Sequence, residues 1–459
     1  MVWKVRYTLA KMTKIVGFLT LFLLAGCTSF ADVTPVPTVN PDRLILFHNG
    51  RILTMNPAQP RATALAVQGE KIVMVGDDDD ILTLRQPGAT IIDLQGAAVM
   101  PGFVDPHNHL FNDAEGLSSM SLTEVQQVAL EHGITTQGDL YVDQDFLREM
   151  QRFEEAGGLQ IRTSLYLIAN DNCGRSQGDW WKEHPSTAGP GEMLRIGGVK
   201  IFADGGSCEG VALSYEMTPG EGLGDLFFSQ QELNDLVAGV QAQGRQVAIH
   251  AAGDRAIEQA QNAIAAALNS APNDNRHRIE HNAIIRPELL PRYGEIGIVP
   301  LVFSRYELCD RDSPLPPEAY RSWEWPWQAM SKANPGLLIA WHGDYRRAAR
   351  VWPLADLYGL VTRNDVDDDG RICPGDDWLK QNTLSMDQAL PMMTINAAYA
   401  LFREDEVGSL EVGKYADLII LSQDPTAAPP ETLLETAVWL TMVGGRTAYC
   451  APGRESLCP

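Results

Sequence analysis

His107 and His109 stand two residues apart at the end of the run Phe103-Val104-Asp105-Pro106, and that spacing has a chemical reading. On an extended chain the side chains alternate, so both imidazoles point the same way and can reach one ion. A lone His-x-His is weak by itself, but three later apolar runs end in similar residues. These are Val247-Ala248-Ile249-His250, Arg278-Ile279-Glu280-His281 and Leu338-Ile339-Ala340-Trp341-His342-Gly343-Asp344. Histidines and a carboxylate brought to one point suit zinc, manganese or iron. His277 and His342 neighbour these positions but are expected to alternate off the strand face. His48, His132 and His184 read as surface or turn residues.

Such residues meet only if the strands that end in them share one face. Eight apolar runs follow Met100-Pro101-Gly102: Gly102–Asp105, Ile134–Asp139, Ile161–Ala169, Gly198–Ala203, Gln246–Ala251, Arg278–Glu280, Ile296–Phe303 and Leu337–Trp341. Helical patterns separate several of them. Leu122–Glu131 is one, and Ser229–Gln243 another, with Ser229 and Glu232 spaced as a capping box. Asp254–Leu268 is an Ala-rich third, and 386–401 a last helix. Strands alternating with helices predict an α/β fold of the (β/α)8 TIM-barrel type over residues 100–404, in which strand C-termini converge on the active face. Short strands before it (Leu44–Phe47, Arg51–Thr54, Ala64–Gln68, Lys71–Val75, Thr90–Asp93) read as an antiparallel unit. Strand texture returns in Val407–Leu421 and Ala437–Ala448. The simplest account joins both ends, 42–99 and 405–450, in one small β-sandwich domain.

The order His-x-His, Lys, His, His, Asp resembles the metal-dependent amidohydrolase superfamily, and more closely its YtcJ-like branch, amidohydrolase family three. The stretches that carry the resemblance are Met100–His109, Gly198-Val199-Lys200-Ile201-Phe202-Ala203-Asp204-Gly205, His250–Ala256, Arg278–His281, Thr394–Ala398 and the closing Val407–Ile420. The resemblance implies that His107, His109 and Asp344 bind one metal. It implies that His250 and His281 bind a second, and that Lys200, carboxylated to a carbamate, bridges the two. One or two divalent transition metals are expected, zinc first among them. Asp344 would be the catalytic residue, orienting water and carrying its proton to the leaving amine. The reaction implied is hydrolysis of an amide-type C–N bond in a small molecule. Two other readings stand beside it. One is an N-acyl-D-amino-acid deacylase-like enzyme, in which a cysteine such as Cys208 would ligate metal. The other is a ligand-binding lipoprotein of the same fold without turnover.

The sequence departs from the pattern in places. A helix begins within about fifteen residues of His109, where relatives carry a long insertion, and the usual Gly-Ser-Asp of the last strand is His342-Gly343-Asp344. Trp180, Trp181, Arg305, Tyr306, Trp323, Trp325, Trp327, Tyr345 and Arg346 fall in loops expected to overhang the site as an aromatic and cationic rim. Asp204, Asp254 and Arg255 read as loop-orienting. Asp365, Asp367, Asp369, Arg371 and Asp376 have the spacing of a calcium loop, which predicts a structural calcium.

The N-terminus predicts export. A basic start, the charge-free run Ile15–Leu24 and Leu24-Ala25-Gly26-Cys27 read as a lipoprotein signal peptide over 1–27, with Cys27 lipidated. Residues 28–41 read as a tether. The protein is then expected on the bacterial cell envelope, membrane-attached and facing the periplasm or exterior. The other six cysteines favour disulfides there. Cys450 and Cys458 are near enough in sequence to close a small loop, while the other pairings stay open. A net charge of −23 argues against a nucleic-acid partner. The sequence sets no oligomeric state.

Overall fold

A computed structural model of the chain describes residues 39–206, 208–303, 308–309, 315–367, 369–427 and 429–459. The expected leader 1–27, Cys27 and most of the tether lie outside the described residues, as do Arg305 and Tyr306. Among the described residues no helix is long and apolar enough to cross a membrane.

The eight expected barrel strands are all present: β1 Phe103–Asn108, β2 Ile134–Val142, β3 Arg162–Ile168, β4 Leu194–Phe202, β5 Gln246–Ala251, β6 Arg278–His281, β7 Val299–Phe303 and β8 Ala340–His342. Each pairs in parallel with the next in chain order. The seam between β8 and β1 is tied by Trp341 Nε1 donating to the Val104 carbonyl at 2.7 Å and Asp344 N donating to the His107 carbonyl at 3.1 Å. The barrel is thus nearly closed, with only this seam lacking a strand ladder. Alternation sets what faces inward. Val199 and Ile201 of β4 face the helices, while Lys200 faces the barrel interior and is fully buried. A Cβ at Gly138 of β2 would overlap the Pro106 carbonyl, so the first two strands approach this closely only over a glycine.

The helices follow their caps. Ser121 and Glu124 form a reciprocal capping box for Leu122–Glu131, and Ser229 and Glu232 do the same for Gln230–Gln241. Asp254–Leu268 buries Ala256, Ile257, Ala260 and Ile264 on one stripe against the barrel. The expected helix 386–401 is two, Met386–Met392 and Ile395–Ala400, with Pro391 in the first and a break at Thr394. Between β3 and β4 there is only one helical turn, Trp180–Glu183.

Two further sheets pack face to face beside the barrel. One orders Lys71–Gly76, Ala64–Gln68, Leu44–His48 and Thr90–Asp93. The other orders Arg446–Cys450, Val438–Val443, Leu418–Leu421, Ala98–Pro101, Arg51–Leu53 and Arg61–Ala62. Strands from both ends of the chain therefore share the second sheet. The first is mixed and not purely antiparallel, because Leu44–His48 runs parallel to Thr90–Asp93. Ile45, Phe47, Val67 and Ile92 of one sheet meet Val99, Leu418, Ile420 and Met442 of the other. Of the stretch 407–421 only the last four residues form a strand. At the junction with the barrel, Arg162 at the start of β3 makes a two-pronged ion pair with Asp417, 2.8 and 3.2 Å, with both side chains buried.

Candidate metal centre

The C-terminal ends of β1, β5, β6 and β8 bring His107, His109, His250, His281, His342 and Asp344 together. Asp344 is central. Its Oδ1 lies 3.2 Å from His109 Nε2 and 3.6 Å from His107 Nε2, and its Oδ2 lies 3.9 Å from His281 Nδ1. Two donor groups result, each with all ligand atoms within 4.8 Å of one another: His107, His109 and Asp344, and His281, His342 and Asp344. Asp344 is common to both. It is reached by a turn in which its own backbone is left-handed, φ 51°, and that turn aims the carboxylate back over the barrel.

The alternation that explains His107 and His109 does not explain His281. On β6 the inward positions are Arg278 and Glu280, both fully buried, so His281 would face outward. Left-handed backbone at His281 and Asn282, φ 72° and 53°, turns it back. Asn282 fixes that turn by donating to the Ile279 and Leu301 carbonyls at 2.7 and 2.8 Å.

Glu280 was given no role by its sequence position, and the structure gives it one. Its Oε2 is 2.7 Å from His107 Nδ1 and its Oε1 is 2.8 Å from Arg278 Nε, with all three side chains out of solvent. Taking the Nδ1 hydrogen fixes the His107 tautomer, and its Nε2 lone pair then faces Asp344 and His109. Burial raises the Glu280 carboxyl, while the Arg278 and Lys200 cations work against it.

The buried nitrogens fit a metal. His107 Nε2, Lys200 Nζ and both ring nitrogens of His342 are buried with no hydrogen-bond partner among the described residues. Unsatisfied groups this dense are rare, and a cation held between a carboxylate and neutral imidazoles would satisfy them. Burial, with the neighbouring Lys200 and histidine charges, pushes His107 well below the ordinary histidine value. Burial and the other histidines do the same to His281. Both imidazoles are therefore neutral, as ligation requires. Burial opposes ionisation of Asp344, but the hydrogen bond from His109 and the charges of His281 and His342 hold its carboxyl well below the usual carboxylate range. Burial lowers Lys200 to about 8, against the pull of Glu280 and Asp344.

Several expected residues lie elsewhere. His250 is beside His281, ring centroids 4.4 Å apart, but its Nε2 is 3.1 Å from the Gly205 carbonyl and 3.3 Å from Asp204 Oδ1, and it belongs to neither donor group. His277 is out of the site, as expected, held by Val247 N and Gln241. His342, expected to point away, is inward, because it shares the parity of Asp344. Asp204, Asp254 and Arg255 bind loops: Asp204 accepts from Ala212, Ala252 and Gly253 amides, Asp254 from Ser214 N, and Arg255 Nη1 donates to the Leu213 carbonyl.

The expected aromatic rim is mostly core. Trp181, Trp327 and Tyr345 are fully buried, Trp325 is buried against Phe303, and Trp323 packs with Tyr215 and Tyr320. Arg346 is paired with Asp113. The rings against the histidines are instead Tyr141 (6.3 Å from His109), Phe202 (5.5 Å from His250) and Phe303 (5.4 Å from His342), at the ends of β2, β4 and β7. Their places at strand ends were the available signal.

Cys208 is bridged to Cys173, so it is not the thiolate that a deacylase-like metal set would need. Cys309 pairs with Cys373, and Cys450 pairs with Cys458 as their closeness in sequence suggested. The acidic stretch 365–376 folds as a hairpin, with Asp365–Val366 antiparallel to Ile372–Cys373. Asp365 accepts from Cys309 N. Asp367 accepts from the Asp369 and Arg371 amides and pairs with the Arg371 guanidinium at 2.8 Å. Asp376 caps the short helix Asp377–Lys380 by position. Among the described residues no three of its ligand atoms gather within 4.8 Å.

Residues 90–130 and 127–449 match the amidohydrolase family. The chain is 34% identical over 268 residues to Protein LONG AFTER FAR-RED 3 of Arabidopsis thaliana, covering 56% of this chain and 44% of that protein. It is 24% identical to the putative amidohydrolase YtcJ of Bacillus subtilis (77% and 68% covered) and 25% identical to the N-substituted formamide deformylase of Arthrobacter pascens (69% and 57% covered). The chain thus spans roughly half to two thirds of these relatives. Its fold is similar to that of an uncharacterized metal-dependent hydrolase from Pyrococcus furiosus, with a TM-score of 0.68 at 19% identity, covering 83% of this chain and all of that one.

Proposed function

The chain belongs to the amidohydrolase family, and from that premise we propose that it is a metal-dependent hydrolase cleaving an amide-type C–N bond of a small molecule. The observation that carries this reading is the convergence of His107, His109 and Asp344 with the unpartnered nitrogens of His107 and Lys200 at the mouth of the barrel. His107, His109 and Asp344 would hold one divalent metal, zinc first. His250, His281 and Lys200 as a carbamate would hold a second, His250 by a ring rotation away from Gly205. A divalent metal bound there supplies Lewis-acid charge that acidifies water and polarises a carbonyl.

The chain's own groups do the rest. Asp344 is held ionised by its histidines, so it can accept a proton from water and pass it to the leaving amine. Glu280 keeps His107 in the ligating tautomer. Burial that lowers Lys200 to about 8 leaves about a tenth of its amine neutral at pH 7, which is the form that captures carbon dioxide. Tyr141, Phe202 and Phe303 wall the site with rings, which suits a flat or apolar acyl or N-substituent. The name of the formamide deformylase relative is in keeping with C–N chemistry. Cys27, lipidated and left as the first residue once the signal peptide before it is removed, would anchor the protein to the outer face of the membrane.

The test is metal content of the purified protein beside Lys200→Ala, with turnover of N-acyl and N-formyl amines. About two zinc per chain falling to one or fewer in the variant, with turnover in the wild type, supports the reading. No bound zinc after reconstitution with bicarbonate refutes it. Detergent-free release of Cys27→Ser protein tests the anchor.

A further inference from the structure

His342 has no place in the ligand set that the family resemblance implies, whose last-strand motif carries Gly-Ser-Asp where this chain has His342-Gly343-Asp344. Its geometry is that of a ligand. His342 and Asp344 are two residues apart, and Trp341 between them points the other way to the Val104 carbonyl. The His342 side chain is fully buried, and neither ring nitrogen has a hydrogen-bond partner among the described residues. A neutral imidazole always presents one N–H and one lone pair, so a buried position at which the protein meets neither is costly unless something binds there.

The ring is also fixed in place. It stacks on His107 at 4.6 Å with 16° between planes, meets His281 edge-on at 4.8 Å, and has Phe303 behind it at 5.4 Å. Its donor atom lies within 4.8 Å of those of His281 and Asp344. Two imidazoles and a carboxylate are a donor set that zinc, manganese and iron accept, with a position left for water or substrate. His250 meanwhile faces Gly205 and Asp204.

We propose that His342 is a metal ligand in this protein, joining His281 at the second ion in the place given above to His250, with Asp344 shared between the two ions. The assignment rests on the reading that this face of the barrel holds transition metal at all, and the experiment separates the two. The full chain is loaded with cobalt(II). Metal per chain, the visible ligand-field spectrum and competition with a chelator are then measured for wild type, His342→Phe, His342→Asn and the buried control His277→Gln. Near-UV circular dichroism selects the variants that are folded.

The expected result is that both His342 variants lose about one cobalt per chain, or bind it at least about tenfold more weakly, with a changed spectrum, while His277→Gln matches the wild type. The phenylalanine keeps the ring's volume and the asparagine leaves room, so a loss common to both is a loss of the nitrogen. Wild-type stoichiometry, competition and spectrum in either folded variant overturn the role of His342 and leave the metal reading intact. A wild-type protein that takes up no cobalt overturns both.

Discussion

Glu280→Gln is the sharpest probe of the site, because the side chain keeps its shape and loses one acceptor. The carboxylate accepts through Oε2 from the His107 ring at 2.7 Å and from Arg278 Nη2 at 3.5 Å, while its Oε1 makes an ion pair with Arg278 Nε at 2.8 Å. A glutamine has one acceptor oxygen and one NH2 group. If its oxygen faces Arg278, its NH2 faces His107 Nδ1. That nitrogen must then accept, and the ring proton moves to Nε2, where it blocks ligation. If its oxygen faces His107, it still accepts from Arg278 Nη2, but the buried guanidinium loses its anion and its Nε meets the NH2 group where Oε1 stood. The first arrangement should weaken metal binding by about 10–100-fold, or about 1.4–2.7 kcal/mol. The second should cost the fold about 3–5 kcal/mol. Chelator competition reads the one and urea unfolding of the metal-free protein reads the other. A glutamine variant with wild-type values in both assays would refute the tautomer argument, since neither arrangement keeps both the His107 tautomer and an anion against Arg278.

Three more predictions concern charge and covalent structure. Burial puts Lys200 at about 8 in the fold against 10.5 in the open chain, so between those pH values the unfolded chain binds more protons and the metal-free protein gains stability as pH rises. Lys200→Met should abolish that gain and add roughly 3 kcal/mol at pH 7, measured by urea unfolding at pH 7 and 10; an unchanged pH dependence would mean that the ammonium has a partner. Arg162→Met leaves Asp417 buried and unpaired at the junction of barrel and sandwich, and should cost about 3–5 kcal/mol, with most of it recovered in the double variant Arg162→Met/Asp417→Leu. Peptide mapping without reductant should find Cys173–Cys208, Cys309–Cys373 and Cys450–Cys458, and alkylation of Cys208 before reduction would reopen the thiolate reading.

The sequence alone determined the barrel and most of its active face, for a local reason. Each strand announces itself by an apolar run, and a residue that ends such a run must arrive at the C-terminal rim, so His107, His109, His250 and Asp344 could be placed without coordinates. Capping boxes such as Ser229 and Glu232 are equally local. What only the tertiary structure decided depends on backbone turns and on neighbours far away in the chain. The inward aim of His281 comes from left-handed residues that alternation cannot foresee. Glu280 matters because β6 lies across the barrel from β1. Trp181, Trp325, Trp327 and Tyr345 sank into the core because loops that cross the barrel need apolar anchors, which the sequence does not distinguish from a rim. That the acidic stretch folds as a hairpin with Arg371 paired to Asp367 is likewise decided by the fold and not by the spacing of its aspartates. His342, two residues before a carboxylate assigned on sight, gained its significance only when two other strands set the His107 and His281 imidazoles against it.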